Sequence, residues 1–168
     1  MKPSFTTGTP AGDNLPREIC DRCGFVAYDN PKIVVGAVVR DGARILMCRR
    51  AIEPSKGLWT IPAGYLEHGE SPQEGAAREA YEEATAQIQI DGLLAVYTIK
   101  RIGQVQLIYR ARLCDGAFAP GPESEAVGLF APEALPMDAL AFPSVRWALS
   151  QEREVGGPFV NPSEAGAV

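Results

Sequence analysis

The sequence feature that constrains this chain most is the run from Gly64 to Ala86, GYLEHGESPQEGAAREAYEEATA. A glycine-punctuated loop comes first, and a helix start signal follows it. Ser71 is an N-cap residue, Pro72 suits the first helical position, and Glu74 completes a capping box. We therefore predict a helix that begins near Pro72 and is preceded by an ordered loop.

Three acidic residues share one side of this predicted helix. A helix turns about 100° per residue, so Glu79, Glu82 and Glu83 at i, i+3 and i+4 point the same way. Like charges at this spacing repel one another, and a divalent cation would offset the repulsion. Rows of carboxylate oxygens suit Mg²⁺ or Mn²⁺. The alternative is a solvated acidic face that Arg78 partly neutralises.

The opposite side of the helix carries small and apolar residues. They have the i, i+3, i+4, i+7 spacing of a face that packs on a core. These residues are Ala77, Ala80, Tyr81 and Ala84. The pattern predicts that this side packs on the core and that the acidic side, with Glu79 at its centre, points away from it.

The whole pattern resembles the motif of the Nudix hydrolases. That motif is a glycine, five residues, a glutamate, seven residues, and then Arg-Glu-x-x-Glu-Glu-x-Gly. The positions that match are Gly64, Glu70, Arg78, Glu79, Glu82 and Glu83. Thr85 stands where the motif has its last glycine. A β-branched residue resists the left-handed backbone that a glycine allows there, so we expect a different helix exit.

The resemblance implies a role for each matching residue. The glutamates Glu79, Glu82 and Glu83 are then metal ligands, and the backbone carbonyl of Ala63 is a further one. Glu70 and Arg78 are expected to brace the loop on the helix. Gly64 lies where the backbone can bend or approach a ligand, and it is a candidate for substrate binding.

The resemblance covers about residues 30 to 150 and implies an α/β fold. We expect a Nudix-type α/β/α sandwich with a mixed β-sheet between helices. Within the family, CDRCGFVAYDNPK and RRAIEPSKGLWTIPAG look most like a branch with an N-terminal zinc ribbon. We divide the chain into an N-terminal extension, 1–29, a hydrolase domain, 30–153, and a flexible C-terminal tail, 154–168.

The strand pattern agrees with a mixed sheet. Residues 33–39 and 43–49 are predicted as a hairpin around Asp41-Gly42, and 93–100 is predicted to pair with 104–113 across Ile102-Gly103. A short strand over 126–130 and an amphipathic helix from Pro143 to about Glu152 follow. Helices would then cover both faces of the sheet.

Several residues outside the motif are candidates for substrate contact. Arg49 and Arg50 follow a predicted strand and are candidates to hold a phosphate, with surface charge as the alternative. Trp59 is a candidate to flank the substrate, with a core position as the alternative. Family members often draw a further carboxylate from a loop downstream of the motif. Glu123 and Glu125 are the choices here, also as metal ligands, with a flexible acidic loop as the alternative.

The cysteines raise the question of zinc. Cys20 and Cys23 have the C-x-x-C spacing of half a zinc ribbon, but a structural zinc ion needs four ligands and no second C-x-x-C is present. Zn²⁺ would then be shared between subunits or absent. Cys48 and Cys114 lie in strand-like segments and are expected to be ordinary packing residues.

The charge and the apolar segments of the chain limit which binding partners we expect. The formal charge is −5, so we do not expect the surface to attract a long nucleic acid. A small nucleotide bound together with a metal ion is compatible with this charge. The longest apolar run, IVVGAVV, is too short to cross a membrane, and the N-terminus lacks a signal-peptide core. We expect a cytoplasmic protein, and analogy with the family suggests a homodimer.

Three functions fit these observations. The first is metal-dependent hydrolysis of a nucleoside diphosphate linked to another group. The resemblance to the zinc-ribbon branch, which is usually described as acting on ADP-ribose or FAD, implies ADP-ribose, FAD or a related dinucleotide as the substrate. The second is a house-cleaning nucleoside triphosphate pyrophosphohydrolase, which would share the metal site. The third is a non-catalytic nucleotide-binding regulatory module, which the departure at Thr85 favours and the intact set of carboxylates opposes.

Overall fold

The computed structural model describes residues 4–162. The chain divides into two compact units, and the division falls between Pro31 and Lys32. The boundary that we predict from the sequence lies two residues earlier, between residues 29 and 30.

The N-terminal unit is a small antiparallel sheet. Its strands are β1 (Phe5–Gly8), β2 (Arg17–Cys20) and β3 (Val26–Ala27), in the order β1-β2-β3. Arg17 pairs with Asp13 at 3.0 Å, and its guanidinium also lies 5.0 Å from the ring centre of Tyr28. Polar and aromatic side chains therefore contribute to the order of this short segment.

The second unit is built on one larger sheet. Its strands are β4 (Lys32–Asp41), β5 (Arg44–Arg50), β6 (Trp59–Thr60), β7 (Ala63–Tyr65), β8 (Ile88–Ile99), β9 (Gln104–Leu113) and β10 (Ser124–Phe130). Two α-helices, α1 (Pro72–Ala84) and α2 (Pro143–Gln151), complete the unit together with three short 3₁₀ turns at Lys100–Ile102, Pro132–Ala134 and Met137–Ala139.

The sheet is mixed, as predicted. The main path runs β10-β5-β4-β9-β8, with β6 paired to β5 and β7 paired to β4. Strands β4 and β9 are parallel, and the other pairs are antiparallel. Both predicted hairpins are present, since Asp41 pairs with Arg44 and Ile99 pairs with Gln104.

Each face of the sheet packs against one helix. Strand β4 shows this best, because its side chains alternate between two separate cores. Val35, Ala37 and Val39 belong to the core that contains Ala76 and Ala84 of α1. Val38 belongs to the other core, with Val145, Ala148 and Leu149 of α2. The expected α/β class with helices on both sides of a mixed sheet is confirmed.

The start of α1 is the predicted one. Ser71 is the N-cap, its hydroxyl accepts a bond from the backbone amide of Glu74, and the Glu74 side chain accepts one from the amide of Ser71. This reciprocal capping box satisfies two amides that the first turn leaves without helical partners. It fixes where the helix begins relative to the loop before it.

The segment after α2 is more ordered than the flexible tail that we expected for 154–168. Phe159 exchanges backbone hydrogen bonds with Leu94 and Val96 at the free edge of β8, both at 2.8 Å. The side chain of Asn161 bonds to the backbone amide and carbonyl of Thr98. Local composition gave no sign of these contacts because their partners lie about 60 residues earlier. Residues 163–168 of the expected tail lie outside the described residues.

Candidate active site

Arg78 ties the loop before α1 to the helix. Its Nε and Nη2 donate to the two carboxylate oxygens of Glu70 at 3.0 and 2.8 Å, a two-pronged ion pair. Nη2 also donates to the carbonyl of Tyr65 at 3.0 Å, and Glu70 accepts a further bond from the amide of Glu67. The bonds from Arg78, with the Glu67 amide adding to them, lower the pKa of Glu70 to about 2. Glu70 and Arg78 thus make the contacts that a brace between loop and helix requires.

Glu79 lies directly beneath the loop backbone at Gly64. A β-carbon on residue 64 would overlap the Glu79 carboxylate, so a side chain there would displace the glutamate. Glu79 is only 8% exposed, and its Oε1 accepts from Arg78 at 2.8 Å. Burial raises the pKa of Glu79 more than the neighbouring Arg78 lowers it. The glycine is therefore needed for close approach rather than for a positive φ.

Glu83 is the most deeply buried acid of the helix, at 6% exposure. Its Oε2 accepts from the backbone amide of Ala63 at 3.2 Å. Burial, followed by repulsion from Glu79, raises the pKa of Glu83 to about 8, while Arg50 is among the groups that lower it. Two carboxyl groups with raised pKa values therefore lie side by side under residues 63 and 64.

The helix faces differ from the sequence prediction. We expected Ala77, Ala80, Tyr81 and Ala84 on the core side and the glutamates opposite. The buried residues are instead Gly75, Ala76, Glu79, Ala80, Glu83 and Ala84. Tyr81 is 57% exposed. The prediction was wrong because it treated carboxylates as solvent-facing, whereas strand β7 covers two of them.

Glu82 differs from its two neighbours in being exposed. Its side chain is 56% accessible and pairs with Nη1 of Arg78 at 2.8 Å. Among residues 4–162, no three His, Cys, Asp or Glu side chains stand together in a ready-made metal cluster. The oxygen chemistry of Glu79, Glu82 and Glu83 fits a hard cation, and so does the net negative charge around the buried pair.

The end of α1 keeps the backbone that the motif glycine would adopt. Thr85 has φ 46° and ψ 23°, in the left-handed region, and its amide caps carbonyls of the last turn. Our expectation of a different helix exit was therefore wrong at the level of the backbone. The Thr85 hydroxyl donates to the carbonyl of Ala119 at 3.1 Å, a bond that glycine has no means to make.

The downstream loop distinguishes between its two acidic candidates. Glu125 lies in β10 and pairs with Arg49 at 3.5 Å. Glu123 comes just before the strand, and its charge contributes to the raised pKa values of both Glu79 and Glu83. Glu123 thus adds negative charge near the two buried carboxylates, whereas Glu125 is engaged with an arginine.

The remaining candidates for substrate contact already make hydrogen bonds or packing contacts within the protein. Arg49 Nε donates to the carbonyl of Gly57, and Arg50 Nε donates to that of Pro54, so both arginines clamp the loop between β5 and β6. Trp59 packs edge-on against Phe130, with ring centres 4.9 Å apart. Trp59 thus occupies the packing position that we gave as its alternative, while a substrate role for any of the three stays a prediction.

The cysteines fall into two groups. Cys20 and Cys23 belong to the N-terminal unit, where the backbone amides of Arg22 and Cys23 lower the pKa of Cys20. Residues 4–31 contain no further cysteine or histidine, so they supply two of the four ligands that a structural zinc ion requires. The donors of this unit alone do not fit a complete zinc site. Cys48 is buried beside Glu83, and burial raises its pKa.

Comparison with known proteins agrees with the fold and the motif. The NUDIX domain family model matches residues 30–149. The chain belongs to the Nudix family. A second model, described as Nudix N-terminal and named for a zinc ribbon, matches residues 4–29 of this Nudix protein. The predicted resemblance is confirmed, including the branch with the N-terminal ribbon.

Individual relatives extend this assignment. The crystal structure of a NUDIX hydrolase from Nitrosomonas europaea superposes with a TM-score of 0.86 at 40% identity, over 94% of this chain and 93% of that one. A MutT-like protein from Streptomyces ambofaciens is 38% identical over 60% of this chain and 63% of its own length. An ADP-ribose pyrophosphatase from Methanocaldococcus jannaschii is 32% identical over 42% of each chain. The chain thus spans less than two thirds of the curated relatives that it matches.

Two backbone groups that the sequence pattern did not indicate contribute to this Nudix site. One is the carbonyl of Tyr65, which accepts from Arg78. The other is Gly121, whose amide donates to the carbonyl of Glu83 at 3.0 Å. The glycine of the GPES stretch is the available sequence signal for this close backbone approach. Within residues 4–162, neither helix has the length and apolar character needed to span a bilayer.

Proposed function

We propose that this Nudix protein hydrolyses the pyrophosphate bond of a nucleoside diphosphate linked to another group, with ADP-ribose, FAD and related dinucleotides as the substrate class. The observation that carries the proposal is the pair Glu79 and Glu83, buried side by side under residues 63 and 64 with raised pKa values. Burying two adjacent carboxylates costs a large amount of free energy unless a bound proton or cation offsets their charge.

Mg²⁺ or Mn²⁺ is the cation that suits this set of donors. Glu79, Glu82 and Glu83 would hold it, together with the carbonyl of Ala63. When bound, such an ion neutralises phosphate charge and lowers the pKa of a coordinated water. Arg78, paired with Glu70, donates to the carbonyl of Tyr65 and so helps to hold strand β7, which begins at Ala63.

The reaction forms one bond and breaks one bond. The oxygen of water attacks phosphorus, the bridging P–O bond breaks, and the proton of the water passes to a carboxylate. Glu79 and Glu123 are the two candidates to receive that proton, since Glu79 belongs to the buried pair and the charge of Glu123 helps to raise the pKa of both members of that pair. The products are AMP and the phosphate of the partner group.

The similarity to a relative named ADP-ribose pyrophosphatase supports the substrate class. The test is a panel of ADP-ribose, FAD, NADH, diadenosine polyphosphates and dNTPs with Mg²⁺, and then with Mn²⁺, with products identified by mass. Release of AMP from a dinucleotide is the expected result. Release of pyrophosphate from a dNTP would replace this proposal with the house-cleaning activity, and binding of ADP-ribose without turnover would indicate a regulatory module.

The site assignment is tested separately with Glu82→Gln. This change removes one negative charge from an exposed position and is expected to abolish turnover while leaving the unfolding midpoint unchanged. Glu133→Gln makes the same chemical change at an exposed position in a 3₁₀ turn and should retain full activity. Equal activity of both variants would contradict the assignment.

Four further expectations remain proposals: a cytoplasmic location, a homodimer, a substrate role for Arg49, Arg50 or Trp59, and a zinc ion at Cys20 and Cys23. Sedimentation equilibrium measures the oligomeric mass. Elemental analysis of the purified protein measures bound zinc, and the two-cysteine donor set predicts less than one ion per chain.

A further inference from the structure

Thr85 makes a contact that the motif glycine has no means to make. It adopts a left-handed backbone at the end of α1, with φ 46°, although a β-branched side chain disfavours that region. Its hydroxyl donates to the carbonyl of Ala119, which lies 34 residues later in the β9–β10 loop (residues 114–123). A strained position that also holds a long-range hydrogen bond is a candidate for a specific task.

Two backbone bonds continue the contact between this loop and the last turn of α1. The amide of Ala119 donates to the carbonyl of Ala84 at 2.9 Å, and the amide of Gly121 donates to that of Glu83 at 3.0 Å. A β-carbon on Gly121 would overlap the carbonyl oxygen of Glu82, so the loop backbone lies directly on the helix. The loop thereby satisfies carbonyls that the helix end leaves without helical partners.

The same loop carries Glu123 to the site. After Gly121 the chain turns, since the amide of Ser124 donates to the Gly121 carbonyl at 3.0 Å. The carbonyl of Glu123 accepts from the amide of Ala51 at 2.8 Å, which holds the far side of the turn. The backbone of Glu123 is thus fixed two residues beyond the point where the loop touches the helix that bears the glutamates.

We propose that Thr85 is a positioning residue whose hydroxyl holds the β9–β10 loop against α1 and so places Glu123 beside the buried carboxylates. The role of Glu123 in turnover rests on the proposed function, whereas the attachment of the loop does not. In this chain, Thr85 lacks the conformational freedom of the motif glycine, but its side chain adds a hydrogen bond to the loop.

Four variants distinguish the contribution of the Thr85 hydroxyl from that of the backbone conformation at residue 85. Thr85→Ser keeps the hydroxyl, Thr85→Val keeps the shape without it, and Thr85→Gly restores the motif residue without it. Gly121→Ala disturbs the same contact from the loop side. Amide hydrogen exchange at Ala119 and Gly121 reports loop attachment whether or not the protein is an active hydrolase.

We expect Thr85→Val, Thr85→Gly and Gly121→Ala to speed exchange at these amides about 10-fold or more, and Thr85→Ser to stay near the wild-type rate. In the active enzyme the same three variants should lower kcat about 10-fold with KM changed less than about 2-fold, and Thr85→Ser should restore kcat. In a Glu123→Gln background, Thr85→Val and Thr85→Gly should cause no further loss.

Unchanged exchange in Thr85→Val would overturn the proposal, and so would a Thr85→Ser variant that behaves like valine. An equal further loss in the Glu123→Gln background would show that Thr85 acts independently of Glu123 and would also overturn it. A wild-type protein that hydrolyses none of the panel substrates fails the proposed function instead. The exchange rates then still decide whether Thr85 attaches the loop.

Discussion

The carboxylate of Glu79 fills the space that a side chain on Gly64 would need, so these two residues are sterically linked across the loop and the helix. The strand β7 that contains Gly64 is itself held against β4, where Gly64 pairs with Val35. The glycine therefore sets how closely the backbone carbonyl of Ala63 approaches the acidic helix. This closeness is what a shared metal shell would require.

Gly64→Ala is expected to displace Glu79 and lower Mn²⁺ affinity at least about 10-fold, because loss of one well-placed ligand contact costs more than about 1.4 kcal/mol. Isothermal titration with Mn²⁺ measures this affinity. Gly92→Ala is the matched control, since a β-carbon there meets no atom within 4 Å. Equal affinities for the two variants would show that Glu79 moves aside without consequence.

Arg78→Lys is expected to loosen the loop, because lysine lacks the planar fork that bonds both oxygens of Glu70. We expect a loss of roughly 1–3 kcal/mol in the free energy of unfolding, measured with urea, since Arg78 makes charge-assisted bonds in a partly buried place. Arg112→Lys changes an exposed pair with Asp91 and should cost under about 1 kcal/mol. A smaller loss at Arg78 than at Arg112 would contradict the brace.

The pH dependence of stability without added metal is expected to report Glu83. Its pKa in the folded protein is about 8, above the ordinary 4.5, so the folded state holds this proton more tightly. The resulting stabilisation is present below about pH 4.5 and is lost as pH rises through about 8, by an amount on the order of a few kcal/mol.

Glu83→Gln removes this titrating group, and its stability should change less between pH 5 and pH 8 than that of the wild type. Chemical denaturation at several pH values in EDTA measures the difference. Glu133→Gln, at an exposed position, should keep the wild-type slope. Parallel curves for the wild type and Glu83→Gln would rule out a raised pKa at this site.

Asn161→Ala is expected to free the segment after α2 from the edge of β8. The Asn161 side chain accepts from the amide of Thr98 at 2.8 Å and donates to its carbonyl at 3.0 Å, so both bonds are lost. Each is worth about 0.5–1.5 kcal/mol, and the Thr98 amide should exchange its hydrogen faster. Asn30→Ala, at an exposed position of the N-terminal unit, serves as the control.

Much of the fold was predictable because its signals are local. The capping box at Ser71, the hairpin at Asp41-Gly42 and the start of α2 at Pro143 each depend on residues within a few positions of one another. The strand patterns likewise located the mixed sheet. The burial of α1 was predicted wrongly, since the rule that acids face solvent fails where a strand passes over them.

The amino-acid sequence alone was enough to assign the family, the spacing of Glu79, Glu82 and Glu83, and the start of their helix. These properties follow from the covalent order of residues and the geometry of one helix. The three-dimensional arrangement was needed to show that Glu79 and Glu83 are buried, that the Thr85 hydroxyl bonds to a distant loop, and that the backbone of this loop lies on the last turn of α1. Those outcomes depend on how closely segments far apart in the chain approach, and local propensity carries no information about such distances.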